Sequence, residues 1–286
     1  MGDGISKAVL ITGCSTGIGR ETAIHLAGAG WTVYATARKL DAVKDLEKEG
    51  CRTLQLDVCD AASMQAAVDA IEAEEGAVGV LINNAGYSQS GAVESVPIDK
   101  ARAQFETNVF GLVHLTQMVL PKMREQGWGR IVNVSSMGGK LVFPGGGFYH
   151  ATKFAVEAIS DALRYEVARF GVKVVVVEPG LIKTDFANNV AKQLDGVPKD
   201  EGPYGAFNAA VEKSTLEVYE KGPLAMLGGG PDACAKVIKK AITARNPKPR
   251  YKVTASAHML VGQRRMMTDR MWDAFLRSQF PQPGKV

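Results

Sequence analysis

Cysteine and histidine are scarce in this sequence, charge of one sign nearly cancels the other, and long apolar runs are missing. The four cysteines (Cys14, Cys51, Cys59 and Cys234) and the four scattered histidines show no paired ligand spacing. No metal site is therefore expected, and the thiols read as reduced and mostly buried, as in a cytoplasmic protein. The net charge of +4 comes from 34 basic and 30 acidic residues with no clustered Lys/Arg stripe, so nucleic acid is not an expected partner. No run reaches the roughly 20 apolar residues of a membrane span, and the N-terminus lacks a charged-then-apolar secretory pattern. Met1-Gly2-Asp3-Gly4-Ile5-Ser6 meets the minimal acylation pattern. The acidic Asp3 beside the acceptor glycine argues instead for an unstructured leader. Repeats, low-complexity tracts and a second domain are also absent. What remains is 286 residues, 46% apolar and 22% charged, enough for one large domain over 1–286 whose core needs no staples.

The apolar residues fall into short runs separated by helical patterns. Ala8-Val9-Leu10-Ile11-Thr12 reads as a strand buried on both faces, running into Gly13-Cys14-Ser15-Thr16-Gly17-Ile18-Gly19-Arg20 and a helix from Glu21 to Gly30. A strand, a glycine-rich turn and a helix let backbone N–H groups approach a pyrophosphate at a helix N-terminus. A second strand, Trp31 to Thr36, ends in Ala37-Arg38-Lys39. Ala37 stands where a dinucleotide fold usually carries an acid for the ribose diol, and the guanidinium of Arg38 suits a 2′-phosphate. NADP(H) is therefore expected over NAD(H), with NAD(H) as the alternative.

A helix over 41–49 and a strand Arg52 to Leu56 follow, then Asp57, which either meets an adenine or caps a helix starting near Ala61. Strand Val78 to Ile82 leads into Asn83-Asn84-Ala85-Gly86. A helix over 100–124 carries Asn108 in its apolar middle, as a satisfied core amide or as the holder of a water. Strand Arg130 to Val134, a helix over 151–170 and strand Val172 to Glu178 lead to Pro179-Gly180-Leu181-Ile182-Lys183-Thr184. Over 185–230 regularity fades, with apolar Phe186, Val190, Leu194, Tyr204, Phe207, Val211, Leu216 and Tyr219 among turn residues, which reads as a substrate lid. A helix over 231–244 and a strand near 251–254 complete the sheet. The tail, 255–286, carries a helical stripe of Met259, Leu260, Met266, Met267, Met271, Phe275 and Leu276 beside four arginines. It is expected to dock on the body or on a partner subunit, a membrane-surface helix being the alternative. The alternation of strands and helices predicts an α/β fold, a doubly wound and mostly parallel sheet with helices on both faces.

Between the fifth strand and the next helix lies the stretch from Ser135 to Lys153. Tyr149 and Lys153 are four apart, so on a helix they share a face one turn apart. A tyrosine pKa of about 10 falls towards working pH beside an ammonium, which makes the pair a candidate acid/base device.

Taken with Thr12-Gly13-Cys14-Ser15-Thr16-Gly17-Ile18-Gly19, Asn83-Asn84-Ala85-Gly86, Asn108, Ser136 and Pro179-Gly180, this pair makes the chain resemble the short-chain dehydrogenase/reductase family, over about 6–184 and again after Pro231. The resemblance implies a seven-stranded Rossmann fold and an oxidoreductase. It implies Tyr149 as the acid/base, Lys153 as the group that lowers the tyrosine pKa and holds the nicotinamide ribose, Ser136 as a hydrogen bond to the substrate oxygen, and Asn108 as the holder of a water. It assigns Gly13, Ser15, Thr16, Gly17, Ile18 and Gly19 to the phosphates and Arg38 to the 2′-phosphate. Asp57 and Val58 go to the adenine, and Asn84, Ala85 and Gly86 to the adenosine and ribose side. Pro179, Gly180, Ile182 and Thr184 go to the carboxamide. Thr16 departs from the basic residue that many NADP(H)-preferring members carry there. Within the family, Tyr34-Ala35-Thr36-Ala37-Arg38 and the Cys14-containing turn look most like 17-beta-hydroxysteroid and retinol dehydrogenase-like members. This implies an apolar alcohol or carbonyl substrate and a homodimer or homotetramer. The rivals are a non-catalytic dinucleotide-binding sensor, and a sugar epimerase or dehydratase on a related frame.

Overall fold

The strand β1, Ala8–Ile11, shows how the sheet is built. Its four residues are all buried, and they alternate between two cores. Val9 and Ile11 enter a cluster with Leu26 and Ile238 on one side, and Ala8 and Leu10 enter another with Ile71, Leu115 and Met123 on the other. A strand can be apolar at every position only when helices cover both faces of its sheet. The same split recurs in β5, Gly129–Val134, where Val132 and Ile131 go to opposite cores, and in β6, Val172–Pro179, where Val177 and Val174 do.

The chain is described here from a computed structural model covering residues 4–184, 194, 197–199, 201–220 and 225–284. The other strands are β2 (Val33–Ala37), β3 (Arg52–Gln55), β4 (Val78–Asn83) and β7 (Arg250–Val253). One seven-stranded sheet has the order β3-β2-β1-β4-β5-β6-β7, and every neighbouring pair is parallel. Helices α1 (Gly17–Ala27), α2 (Ala61–Glu75), α3 (Ile98–Phe105), α4 (Gly111–Glu125) and α5 (Gly147–Glu166) connect the first six strands. Next come α6 (Gly205–Glu220), α7 (Pro231–Thr243), α8 (Ala255–Met266) and α9 (Asp269–Gln279). Strand order reverses between β1 and β4, and such a switch point opens a crevice at the strands' carboxyl ends.

Several local expectations need correction. The segment over 41–49 is two 3-10 turns, Leu40–Ala42 and Lys44–Glu49, rather than an α-helix. Its buried anchors Val43 and Leu46 are three apart, which suits three residues per turn. The helix over 100–124 is interrupted by a π-turn, Glu106–Phe110, centred on Asn108. Asp60 caps α2, its carboxylate accepting from the N–H groups of Ala62 and Ser63; Asp57 does not. Within 185–230 regularity does not simply fade, because α6 is 16 residues long. Phe207 and Val211 of α6 are buried beside Ala92, and Leu194 and Val197 pack with Val96. Phe186 and Val190, and the side chains of Leu216 and Tyr219, lie outside the described residues, as does Gly2. The tail docks on the body through Leu260, Val261 and Trp272, while Met259, Met266 and Met271 of the expected stripe are exposed. No described helix is long and apolar enough to cross a membrane.

Candidate active site

The crevice is framed by the ends of β1 and β4, and Thr12 ties them together. Its hydroxyl accepts from the N–H groups of Asn84 and Ala85, each at 3.0 Å. In return the Asn84 amide donates to the carbonyls of Thr12 (2.9 Å) and Gly13 (3.0 Å). This locks the glycine turn against the Asn84-Ala85-Gly86 turn. Gly19 leaves no room for a side chain there: a Cβ would lie 2.4 Å from the Gly13 carbonyl oxygen and 2.5 Å from the Asn84 amide nitrogen. The N-cap Thr16 makes no side-chain cap bond, and Gly17 and Ile18 open the helix beside the cavity. A helix N-terminus without a side-chain cap favours an anion by its N–H groups and its dipole.

The cavity has a volume of about 800 Å³ and runs from Arg38 to Tyr149. The predicted phosphate group lines it through Gly13, Ser15, Thr16, Gly17 and Ile18, and the predicted adenine end through Arg38, Asp57 and Val58. Asn84, Ala85 and Gly86 form its floor, and Ser136, Tyr149 and Lys153 line it with Pro179, Gly180, Ile182 and Thr184. Gly19 and Asn108 do not line it; both act from behind. Ala37, noted in the sequence for the acid it lacks, also lines the wall, and sequence reasoning missed Leu56, Cys59, Tyr87, Ala103, Glu106 and Thr107 along it. Cys59 and Leu56 flank residues singled out at the end of β3, and that adjacency was the available signal. The cavity suits an extended dinucleotide: a glycine turn too close for Cβ atoms, an uncapped helix start, and a guanidinium at the far end.

Tyr149 sits in the first turn of α5, two residues after its start, and Lys153 follows one turn later. The Lys153 ammonium donates to the Val134 carbonyl at 2.9 Å and lies 5.8 Å from the centre of the Tyr149 ring. Ser136, at the end of β5, accepts from the Gly138 N–H at 3.0 Å and hydrogen-bonds the Tyr149 phenol. Burial raises the Tyr149 pKa, and the Ser136 bond opposes it. The opposing influence comes from Ser136 and not, as expected from the sequence, from Lys153. Burial pulls Lys153 down to about 8, against a raising influence from Glu157. An ammonium poised near neutrality beside a phenol and a hydroxyl can hand over and recover a proton.

Asn108 is buried and spends its amide on structure. Its oxygen accepts from the Tyr87 N–H at 3.0 Å, and its nitrogen donates to the Tyr87 carbonyl (2.8 Å) and to the Thr152 hydroxyl (3.1 Å). These are the bonds of a satisfied core amide. His150, unremarked in the sequence, is buried between Gly138 and Phe143. Its Nε2 accepts from the Phe143 N–H at 3.2 Å, so Nδ1 carries the proton and donates to the Gly138 carbonyl at 3.0 Å. Burial lowers its pKa to about 4, the Gly138 bond opposing.

The short chain dehydrogenase family pattern matches residues 7–195. This chain belongs to that family. A 3-ketodihydrosphingosine reductase of Bacteroides thetaiotaomicron is 37% identical over 273 residues, covering 95% of this chain and 97% of the relative. An NADPH-dependent 3-dehydrocapnine reductase of Ornithobacterium rhinotracheale is 35% identical over 276 residues, covering 93% and 95%. Among solved structures, a short-chain dehydrogenase from Streptomyces avermitilis superposes with a TM-score of 0.77 at 33% identity, covering 96% of this chain and 95% of that one. The protein is thus a short-chain dehydrogenase with a Rossmann-like nicotinamide-dinucleotide fold, and an oxidoreductase by family.

Proposed function

We propose that this short-chain dehydrogenase interconverts a ketone and a secondary alcohol on an apolar, lipid-like substrate and prefers NADP(H). The observation that carries the reading is Ser136, Tyr149 and Lys153 meeting at one end of a cavity whose other end holds Arg38. When bound, the dinucleotide supplies or accepts the hydride. The glycine turn and the start of α1 hold its phosphates, and Arg38 pairs with the 2′-phosphate. In reduction, Tyr149 donates its phenolic proton to the carbonyl oxygen, and Ser136 donates a hydrogen bond to the oxygen as charge grows there. Lys153 holds a positive charge beside the phenol and stabilises the phenolate that results.

The apolar substrate is supported by what surrounds this end. Among the described residues, Lys153 is the charged side chain that lines the cavity there. Leu194 packs in a cluster with Phe148, and Val211 lies against Gly145, both just before Tyr149 in the chain, which supports reading the 185–230 excursion as a lid. The names of two relatives point to reduction of a 3-keto lipid. The likeness to 17-beta-hydroxysteroid and retinol dehydrogenases points to the same apolar class without choosing a steroid or retinoid. Energy transfer from tryptophan to NADPH, titrated against NADH, tests the cofactor. Tight NADPH and weak NADH binding is expected, and equal affinities would remove Arg38 as reader. Tyr149→Phe is expected to lose about 100-fold or more of turnover with NADPH binding kept. Retention of over about a tenth of the rate would sink the tyrosine's role.

A further inference from the structure

Behind the Ser136–Tyr149–Lys153 group lies a buried charge cluster that the proposed chemistry leaves unused. Glu157 stands one turn beyond Lys153 on α5 and is buried. Its carboxylate pairs with Lys140 at 2.6 Å and with Arg250 at 2.9 Å. Lys140 follows the short turn Met137–Gly139 that leaves Ser136, and Arg250 begins β7. The turn is pressed onto the helix at this point. A Cβ on Gly139 would lie 2.8 Å from the Ser135 hydroxyl, and 3.0 Å from both Glu157 Cγ and the Lys153 carbonyl oxygen. The other charges facing Glu157 are Glu178 of β6, paired with Lys140, Arg250 and Lys252 at 3.4–3.9 Å, and Asp161 on its own helix, paired with Arg250 at 2.6 Å. One oxygen of Glu157, both of Glu178 and the Ser135 hydroxyl are buried with no hydrogen-bond partner. A cluster this poorly satisfied is a costly way to join three elements, since apolar residues would serve packing as well or better.

We propose that Glu157, clamped by Lys140 and Arg250, is a positioning residue that docks the Ser136 turn on the catalytic helix and sets the charge carried by Lys153. The inference rests on Lys153 being the working ammonium of the proposed function. Glu157 favours the charged lysine against its burial, and Lys140 tempers that influence. The two substitutions therefore act in opposite directions. Glu157→Gln removes the favourable charge and lowers the pH at which Lys153 loses its proton. Lys140→Gln leaves Glu157 less neutralised and raises it. A role in packing alone would move both the same way or neither.

The test is the pH titration of the Lys153 side-chain resonances in ¹³C-lysine-labelled full-length protein, assigned with Lys153→Arg. A midpoint near 8 is expected for the wild type. Shifts of about half a unit or more are expected, downward for Glu157→Gln and upward for Lys140→Gln. Shifts of the same sign, or none, would overturn the proposal. Lys140 is partly exposed, so Lys140→Gln keeps the test alive if Glu157→Gln does not fold. The resonances report without turnover. Unmoved midpoints with an inactive Tyr149→Phe variant would defeat this inference alone, whereas opposite shifts with an active Tyr149→Phe would defeat the proposed function alone.

Discussion

His150, next to Tyr149, shows how much a single residue depends on its neighbours' backbone. The imidazole is neutral because it must donate to Gly138 and accept from Phe143 at once, and a protonated ring would lose its acceptor. The unfolded chain takes up this proton near pH 6.5 and the folded chain near 4. Between those values the unfolded state binds more protons, so stability falls as pH is lowered from 6.5 to 4 and rises on return. The histidine's share of that loss is about 3 kcal/mol. Denaturant unfolding at pH 7 and pH 4 checks it: His150→Asn should lose less between the two than the wild type, and equal losses would refute the assignment. Tyr149 and Lys153 were legible in the sequence because helical spacing alone brings them together. Thr12 and His150 were not, because their partners are backbone groups of Ala85, Gly138 and Phe143, which no side-chain pattern announces.

At the scale of elements, the π-turn Glu106–Phe110 marks where local preference yields to a contact from elsewhere. Asn108 turns inward to serve both backbone groups of Tyr87, and a wider turn accommodates it. Replacing Asn108 by alanine strands the N–H of Tyr87, while the Tyr87 carbonyl still accepts from Gln104 at 3.0 Å. The expected cost is about 1–3 kcal/mol. Thermal and denaturant unfolding measure this directly, and a loss under about 0.5 kcal/mol would show that the Tyr87 N–H finds another partner. The five inner strands were readable because burial on both faces writes them as largely apolar runs between turns; β3 and β7, at the sheet edges, are polar and partly exposed and were readable from their place in the strand–helix alternation. The excursion helix α6 was hidden by Gly202 and Pro203 just before it and by Gly205 at its first position. What fixes it is tertiary: Asn208 accepts from the Ala92 N–H at 2.9 Å and donates to the Pro198 carbonyl at 2.8 Å.

At the scale of the whole molecule, α5 and the turn before α4 leave large apolar side chains in water. Phe110 is 55% exposed, Phe154 43% and Tyr165 89%. A face of this kind is expected to close on a second copy of the chain, giving the homodimer or homotetramer anticipated from the family. Light scattering after size exclusion should find an oligomer for the wild type and a smaller species for Phe154→Glu; a monomeric wild type would refute it. The sheet order carries another consequence, for how the chain is made. Ala8 of β1 pairs with Val78 of β4, and Val176 of β6 pairs with Arg250 of β7. During synthesis from the N-terminus, the central strand keeps one open edge until β4 has left the ribosome. Glu178 likewise waits for Arg250 and Lys252 of β7 before its charge is matched. A nascent chain halted short of β7 therefore carries a buried-to-be carboxylate with two of its cations missing, which leaves the incomplete product open to proteolysis and the finished one closed.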